Sequence, residues 1–361
     1  MAKKKPARKA RRQKPARNDS RRQIPHPREV KAHLDTIVVG QDSAKQRLAV
    51  AVASHYGRIR GRTLGASHPD LAAVTVEKSN VLMIGPTGSG KTYLANALAQ
   101  YLKVPFAIGD ATSITEAGYV GQDVENLLVN LINAADGDVD AAQRGIIYLD
   151  EIDKLRCTGE NVSTTRDVGG EGVQQSILKM LEGSVVRAPE GGGRFHPETS
   201  GTEIDTTNIL FICGGAFVGL EEIIARRVSG NGREDLLSRV LPADLTKFGL
   251  IPELVGRLPV VTALKELAQE DMEEILAKPK NALLKQYRKL CLQLGYDVTF
   301  APDAVKAMAT VAMKLRIGAR GLRSVVETVM NDVIFHAQPG YRYTINSDVV
   351  AGRKPPGKRK L

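Results

Sequence analysis

A chain of 361 residues, 42% of them hydrophobic, can bury two folded cores, and no apolar run approaches the ~18 residues of a membrane span or follows the basic start as a secretion signal would. Cys157, Cys213 and Cys291 are too widely spaced for a disulfide framework or a structural zinc site, so a soluble, cytoplasmic protein with no membrane partner is expected. The net charge of +11 belongs to the ends: residues 1–23 hold eleven Lys or Arg against Asp19, residues 352–361 hold five more, and the remainder has 35 basic against 39 acidic residues.

Residues 1–23 form a block of like charge interrupted by Pro6 and Pro15, with too little apolar surface to offset the entropy of ordering, and a disordered tail is expected. No aromatic residue interleaves it to stack on bases, so nucleic-acid binding is confined to phosphate contacts through the basic ends. From Val30 to Tyr56 apolar residues recur at helical spacing, broken at Val39-Gly40-Gln41, which predicts a helix, a turn and a second helix. After a connector over Gly57–Ser79, Val81-Leu82-Met83-Ile84 is a continuous apolar run of strand length.

Similar runs follow at Ile146–Leu149 and Ile209–Ile212, separated by helical patterns at Val124–Ala135 and Val173–Leu181. Strands alternating with helices imply a parallel sheet covered on both faces. Beyond Pro259 the pattern changes to helices over Glu266–Leu294 and Pro302–Phe335 and a short strand at Tyr341–Ile345. The predicted organisation is a large α/β domain over 24–262, a smaller, mainly helical domain over 263–348 with its hinge at Thr262–Leu264, and a second disordered basic tail over 349–361.

Gly85-Pro86-Thr87-Gly88-Ser89-Gly90-Lys91-Thr92 matches the P-loop pattern in full and sits between the strand Val81–Ile84 and a predicted helix over Tyr93–Tyr101. Glycines let backbone N–H groups turn around phosphate oxygens, Lys91 reaches the outer phosphates, and Thr92 supplies a ligand to magnesium. Asp150 and Glu151 follow directly on the strand Ile146–Leu149, at the end where an α/β sheet binds its ligand. Asp150 is then the acid beside magnesium and Glu151 the residue that polarises the attacking water, with ATP and Mg2+ as the expected cofactors.

With Val38-Val39-Gly40-Gln41, Thr115–Gly121, Leu149-Asp150-Glu151-Ile152-Asp153-Lys154, Phe248–Glu253 and Gly318-Ala319-Arg320-Gly321-Leu322-Arg323, these motifs make the chain resemble the ClpX family from about Pro25 to Asp348. That family comprises AAA+ P-loop ATPases that unfold proteins for the Clp protease without being peptidases themselves. The resemblance implies an α/β AAA+ fold with a parallel sheet flanked by helices, a helical C-terminal domain and assembly as a homohexamer. It implies that Val38 and Val39 hold adenine, that Arg257 is an arginine finger acting on the neighbouring subunit's ATP, and that Arg320 senses the γ-phosphate. Tyr119 and Val120, between Gly118 and Gly121, would grip unfolded or tagged protein substrates in the pore, the aromatic ring serving any polypeptide through apolar contact. Arg166 would belong to a second pore loop, and Arg194 and His196 to a pore-entrance loop.

Two departures are visible. No cysteine precedes Cys157, so the four-cysteine zinc unit usual in the family is expected to be missing, and no Ile-Gly-Phe-like tripeptide lies between Phe217 and Lys247, where the family docks onto the ClpP peptidase. A polar turn over Val228–Arg233 stands there instead, which leaves docking on ClpP open beside a stand-alone remodelling chaperone and a nucleic-acid-associated ATPase recruited through the tails.

Overall fold

The computed structural model describes residues 25–60, 69–71, 74–114, 124–157, 170–189, 201–228 and 235–361. Helix α1 (Pro27–Asp35) starts with Pro27 in its first turn, where a missing N–H costs nothing, and α2 (Asp42–Arg60) packs against it. The chain then enters β1 (Val81–Ile84), turns through the glycine-rich loop into α3 (Lys91–Leu102), and returns as β2 (Phe106–Asp110). Helices α4 (Asn126–Ala134) and α5 (Val139–Ala142) lead to β3 (Ile146–Asp150), and α6 (Glu171–Glu182) follows.

A two-stranded antiparallel ribbon, β4 (Val185–Pro189) with β5 (Gly201–Asp205), precedes β6 (Leu210–Gly215). Helices α7 (Leu220–Arg227), α8 (Pro242–Phe248) and α9 (Pro252–Gly256) then bring the chain to β7 (Val260–Ala263). The five long-range strands form one parallel sheet in the order β2-β3-β6-β1-β7.

Alternation along each strand divides the core in two. Val81 and Met83 of β1, Ile146 and Tyr148 of β3 and Leu210 and Ile212 of β6 pack on one face with α1, α2 and α3. Leu82 and Ile84, Ile147 and Leu149, and Phe211 and Cys213 pack on the other, against α4, α6, α7 and α9. Because side chains in a strand have a period of two, runs with no polar residue are what a sheet covered on both faces requires. The parallel arrangement also places all the strand C-termini at one edge, and with them the loop after β1 and the carboxylates after β3.

A separate core belongs to the C-terminal unit: α10 (Gln269–Ala277), α11 (Leu283–Gln293), β8 (Asp297–Phe300), α12 (Pro302–Lys314), α13 (Arg320–His336), β9 (Tyr341–Ile345), α14 (Ser347–Val350) and β10 (Gly357–Lys360). Met272, Leu276, Met308, Val326 and Met330 fill its centre. The buried Asp297 is held by Arg288 at 2.9 Å and Arg342 at 3.0 Å, and these guanidinium groups, Arg288 first, keep its carboxyl below the usual carboxylate range.

Two expectations need correction here. The tail over 349–361 is not wholly irregular: Gly357–Lys360 runs antiparallel to β9 as the edge of the small sheet. The Lys358 ammonium lies 4.0 Å from the centre of the Tyr341 ring and donates to Gln338 at 2.7 Å, and an edge strand keeps its remaining charges in water, so a basic run can take strand form. The hinge also lies later than Thr262–Leu264, because Thr262 and Ala263 are paired with β1 and the Leu264 N–H still donates to Ile84 C=O at 2.7 Å. Tyr119, Val120, Arg166, Arg194, His196, the N-terminal tail and the turn after Val228 lie outside the described residues. Among the described residues, no helix is long and apolar enough to cross a membrane.

Candidate active site

A cleft of about 520 Å3 opens between the C-terminal edge of the large sheet and the small unit. Thr87–Thr92 form its floor, Asp150, Glu151 and Asp153 one side, and Ile37, Val38 and Val39 an end. Across from them stand Ile275, Leu276, Leu322, Arg320 and Arg323 of the small unit. Gly85 and Pro86 lie beneath the loop, where their carbonyls accept from the Lys91 ammonium at 2.6 and 3.1 Å.

The glycine-rich loop takes its shape from backbone that other residues avoid. Gly88 has φ +78° and Gly90, at the N-cap of α3, φ +101°. The first turn of α3 carries no acidic residue, so its unpaired N–H groups and partial positive charge face the cleft without a competing carboxylate. The Ser89 hydroxyl is buried and has no hydrogen-bond partner among the described residues. Burial lowers the Lys91 pKa while Asp150 and Asp153 oppose that shift, and Arg320 is close enough to add a repulsive contribution. A buried cation whose hydrogen bonds among the described residues go to two carbonyls, an orphan hydroxyl and a helix N-terminus together suit a polyphosphate anion.

Asp150 ends β3 and accepts from three donors. Thr92 Oγ1 reaches its Oδ2 at 3.0 Å, and Tyr148 OH and the Glu151 N–H reach Oδ1 at 3.1 and 3.0 Å. Burial first, and then the Asp150 charge, push the Tyr148 pKa well up, so the phenol stays a donor. Glu151 sits at φ +58°, a left-handed conformation uncommon for a residue with a side chain, and its carboxylate is exposed. Backbone strain of this kind concentrates where a side chain must be aimed.

Asp153 is buried and accepts the N–H groups of Ala216 and Phe217, both at 3.2 Å, which ties the turn after β3 to the end of β6. Sequence reasoning did not single out Tyr148 or Asp153. The period-two relation of Tyr148 to Asp150 on one strand face was a usable signal for the first, whereas nothing local announces the second.

The apolar end is braced from below. Lys45, almost fully buried, donates to Val38 C=O at 2.7 Å and Asp35 at 2.8 Å, and Gln41 bonds the Lys265 backbone in both directions at 2.8 and 2.9 Å. This fixes the Val38–Val39 segment against the crossing into the small unit. The residues opposite, Ile275, Leu276 and Leu322, were missed because their spacing reads only as helix core.

The structure thus brings together Val38, Val39, Thr87–Thr92, Asp150, Glu151 and Arg320 at one cleft, with Gly85 and Pro86 directly behind it. It does not bring Arg257 there. That side chain is half exposed, paired with Glu182 at 3.0 Å, while its carbonyl accepts from Asn80 at 3.0 Å at the opposite end of β7.

The family model for the AAA domain (Cdc48 subfamily) matches residues 76–261, and that for the C-terminal, D2-small domain, of ClpB protein matches residues 267–338. The ATP-dependent Clp protease ATP-binding subunit ClpX of Treponema denticola is 52% identical over 328 residues, covering 87% of this chain and 78% of the relative. Its counterpart in Borrelia duttonii is 51% identical over 334 residues, 89% and 77% of the two chains, and that of Porphyromonas gingivalis 47% identical over 344 residues, 92% and 82%. With the P-loop, the paired carboxylates and the two-unit cleft in place, the chain belongs to the ClpX family of AAA ATPases.

Proposed function

We propose that this protein is an ATP-driven unfoldase and translocase that works in the cytoplasm as a homohexameric ring. The observation that carries the reading is the split placement of its arginines: Arg320 stands at its own cleft, whereas Arg257 is turned away from it, exposed, on a surface a second copy can approach. A guanidinium supplied in trans to every cleft suits a head-to-tail arrangement, which forms a ring where its rotation closes.

Val38 and Val39 would hold the adenine against Leu276 and Leu322, while the N–H groups of Thr87–Thr92 and the Lys91 ammonium bind the phosphates. Thr92 and Asp150 would hold magnesium, which when bound neutralises phosphate-oxygen charge. The pair already lies at 3.0 Å, and Tyr148 fixes the other carboxylate oxygen of Asp150. Glu151 orients the attacking water and takes its proton, Arg320 senses the γ-phosphate, and the neighbour's Arg257 offsets charge on the departing phosphoryl group. Rotation of the small unit on the crossing near Leu264–Leu267 would carry the motion to Tyr119 and Val120, with Arg166, Arg194 and His196 also facing substrate.

A stand-alone remodelling role is the second reading, favoured by the absence from the sequence of an Ile-Gly-Phe-like tripeptide between Phe217 and Lys247. Purified protein, ATP and magnesium are mixed with a stably folded protein bearing an unstructured tag, with and without ClpP. Loss of the substrate's native fluorescence is expected in both cases. Proteolysis only with ClpP assigns the Clp role, unfolding without proteolysis assigns remodelling, and a protein that remains monomeric under saturating nucleotide sinks both.

A further inference from the structure

The turn between α12 and α13 rests directly on the P-loop, backbone against backbone. Ala319 N–H donates to the Gly88 carbonyl at 3.2 Å. Gly88 at φ +78° and Gly318 at φ +60° face one another. A Cβ on Gly318 would stand 2.8 Å from both the Gly88 Cα and the Thr87 carbonyl oxygen, and a Cβ on Gly88 would stand 2.4 Å from the Ile317 carbonyl oxygen. The atoms in the way are backbone on both sides, so no side-chain rotation can relieve the overlap.

Three consequences follow. The small unit touches the phosphate-binding loop at a point no side chain can cushion, so the loop's position is passed to the turn without slack. Arg320 opens α13 two residues after Gly318, and Leu322 and Arg323, which wall the cleft, follow within one turn. Finally, the peptide whose carbonyl Ala319 engages has its N–H on Ser89, turned into the loop toward Pro86 C=O at 3.3 Å. A carbonyl that accepts a hydrogen bond makes the N–H of the same peptide a stronger donor, so the contact tightens the Pro86–Ser89 turn that gives the loop its shape.

We infer that Gly318 is a positioning residue: its bare backbone seats the α12–α13 turn on the P-loop and couples the angle of the small unit to phosphate binding, independently of the Arg320 guanidinium. The inference rests on the nucleotide reading of the cleft. Phosphate held by the loop and Ala319 held by Gly88 favour the same loop conformation, so each strengthens the other, as reciprocal coupling requires.

The test compares full-length Gly318→Ala with the parent and with Gly340→Ala. Gly340 also has a positive φ, +82°, in the small unit, but a Cβ there meets nothing within 4 Å, so it reports backbone strain without the contact. Gly318→Asn, which tolerates a left-handed backbone better than Ala while keeping the intruding Cβ, serves if Gly318→Ala does not fold. Hydrogen exchange in peptides spanning Ala319 is measured on nucleotide-free protein, and affinity is measured with a fluorescent ADP, which lacks the γ-phosphate that Arg320 would sense.

Faster exchange at Ala319 and about tenfold weaker ADP binding are expected for the Gly318 variants, within the range usual for coupled sites, and neither for Gly340→Ala. Unchanged ADP affinity in a folded Gly318 variant would overturn the proposal, whatever the exchange shows. A parent protein that binds no ADP would instead remove the nucleotide reading, and the coupling with it.

Discussion

The two walls of the cleft are built on different principles. On the large-unit side, the phosphate wall is two short continuous segments, Gly85–Thr92 and Tyr148–Asp153, each attached to the end of a buried strand and each fixed by its own hydrogen bonds. On the small-unit side, Leu276 and Leu322 belong to a separate hydrophobic core and reach the cleft only because that core is docked. The large-unit side is therefore held mainly by local bonds, and the small unit touches it at the Gly88–Ala319 contact. The apolar end opposite Val38 and Val39 and the position of Arg320 depend on how the small unit is docked.

The comparison is broken most severely by removing a group that belongs to neither wall of its own cleft. Arg257→Ala is expected to lower steady-state phosphate release by about a thousandfold or more while nucleotide affinity stays within a few-fold, as for an arginine finger. Mixing it with Glu151→Gln subunits should restore part of the activity, since a subunit with an intact carboxylate then borrows a neighbour's arginine. Absence of any rescue would remove the in-trans assignment.

Glu151→Gln tests the phosphate wall itself. Hydrolysis should fall by about a hundredfold or more with ATP binding retained, because Lys91, Thr92 and Asp150 remain in place while water loses its acceptor. Single-turnover assays with prebound ATP distinguish this from a binding defect, and normal turnover would refute the role.

A smaller effect sharpens the contrast from the apolar end of the cleft. Val39→Ala removes two carbons from the apolar end, worth about 1 kcal/mol if they pack on the base, so Kd for ATP should rise several-fold with kcat nearly unchanged. An equal loss for inorganic triphosphate, which has no base, would place the defect elsewhere.

The smallest effect on turnover is expected far from the cleft, where α2 meets the lower end of β6. His55 Nε2 donates to the Asn208 carbonyl at 3.1 Å, and its pKa is lowered from 6.5 to about 3, by burial first and then by the nearby charges of Arg58 and Lys78. The folded state refuses a proton that the unfolded state accepts, so the contribution is fully present above pH 6.5 and is lost as pH falls toward 3, at no more than about 1.4 kcal/mol per pH unit. Melting temperatures between pH 7 and pH 4 should decline less steeply in His55→Gln than in the parent, while ATPase activity at pH 7 is little altered. Identical slopes would show that His55 is not the group responsible.

Much of the phosphate wall was legible because its geometry follows from nearest neighbours in the chain. A run of buried β residues, a turn that demands glycines and a helix N-terminus lie within a dozen positions, and Asp150-Glu151 follows a strand of the same kind. Tyr148 was half legible, since it shares a strand face with Asp150. Asp153 was not, because its partners, Ala216 and Phe217, lie 63 and 64 residues away. The edge strand Gly357–Lys360 was hidden for a different reason: its composition argues for solvent, and only its pairing with Tyr341–Ile345 makes strand the better choice.

The sequence by itself determined that two cores would form, that the larger would be a parallel sheet covered on both faces, and where polyphosphate chemistry would sit, because hydrophobic periodicity and glycine-dependent backbone act over a few residues. Only the tertiary structure decided which apolar side chains of the small unit line the cleft, that Arg257 stands away from its own cleft, and that Gly318 meets Gly88. Those outcomes depend on how two packed bodies dock, and docking is governed by excluded volume and hydrogen bonds between residues more than two hundred positions apart in the chain.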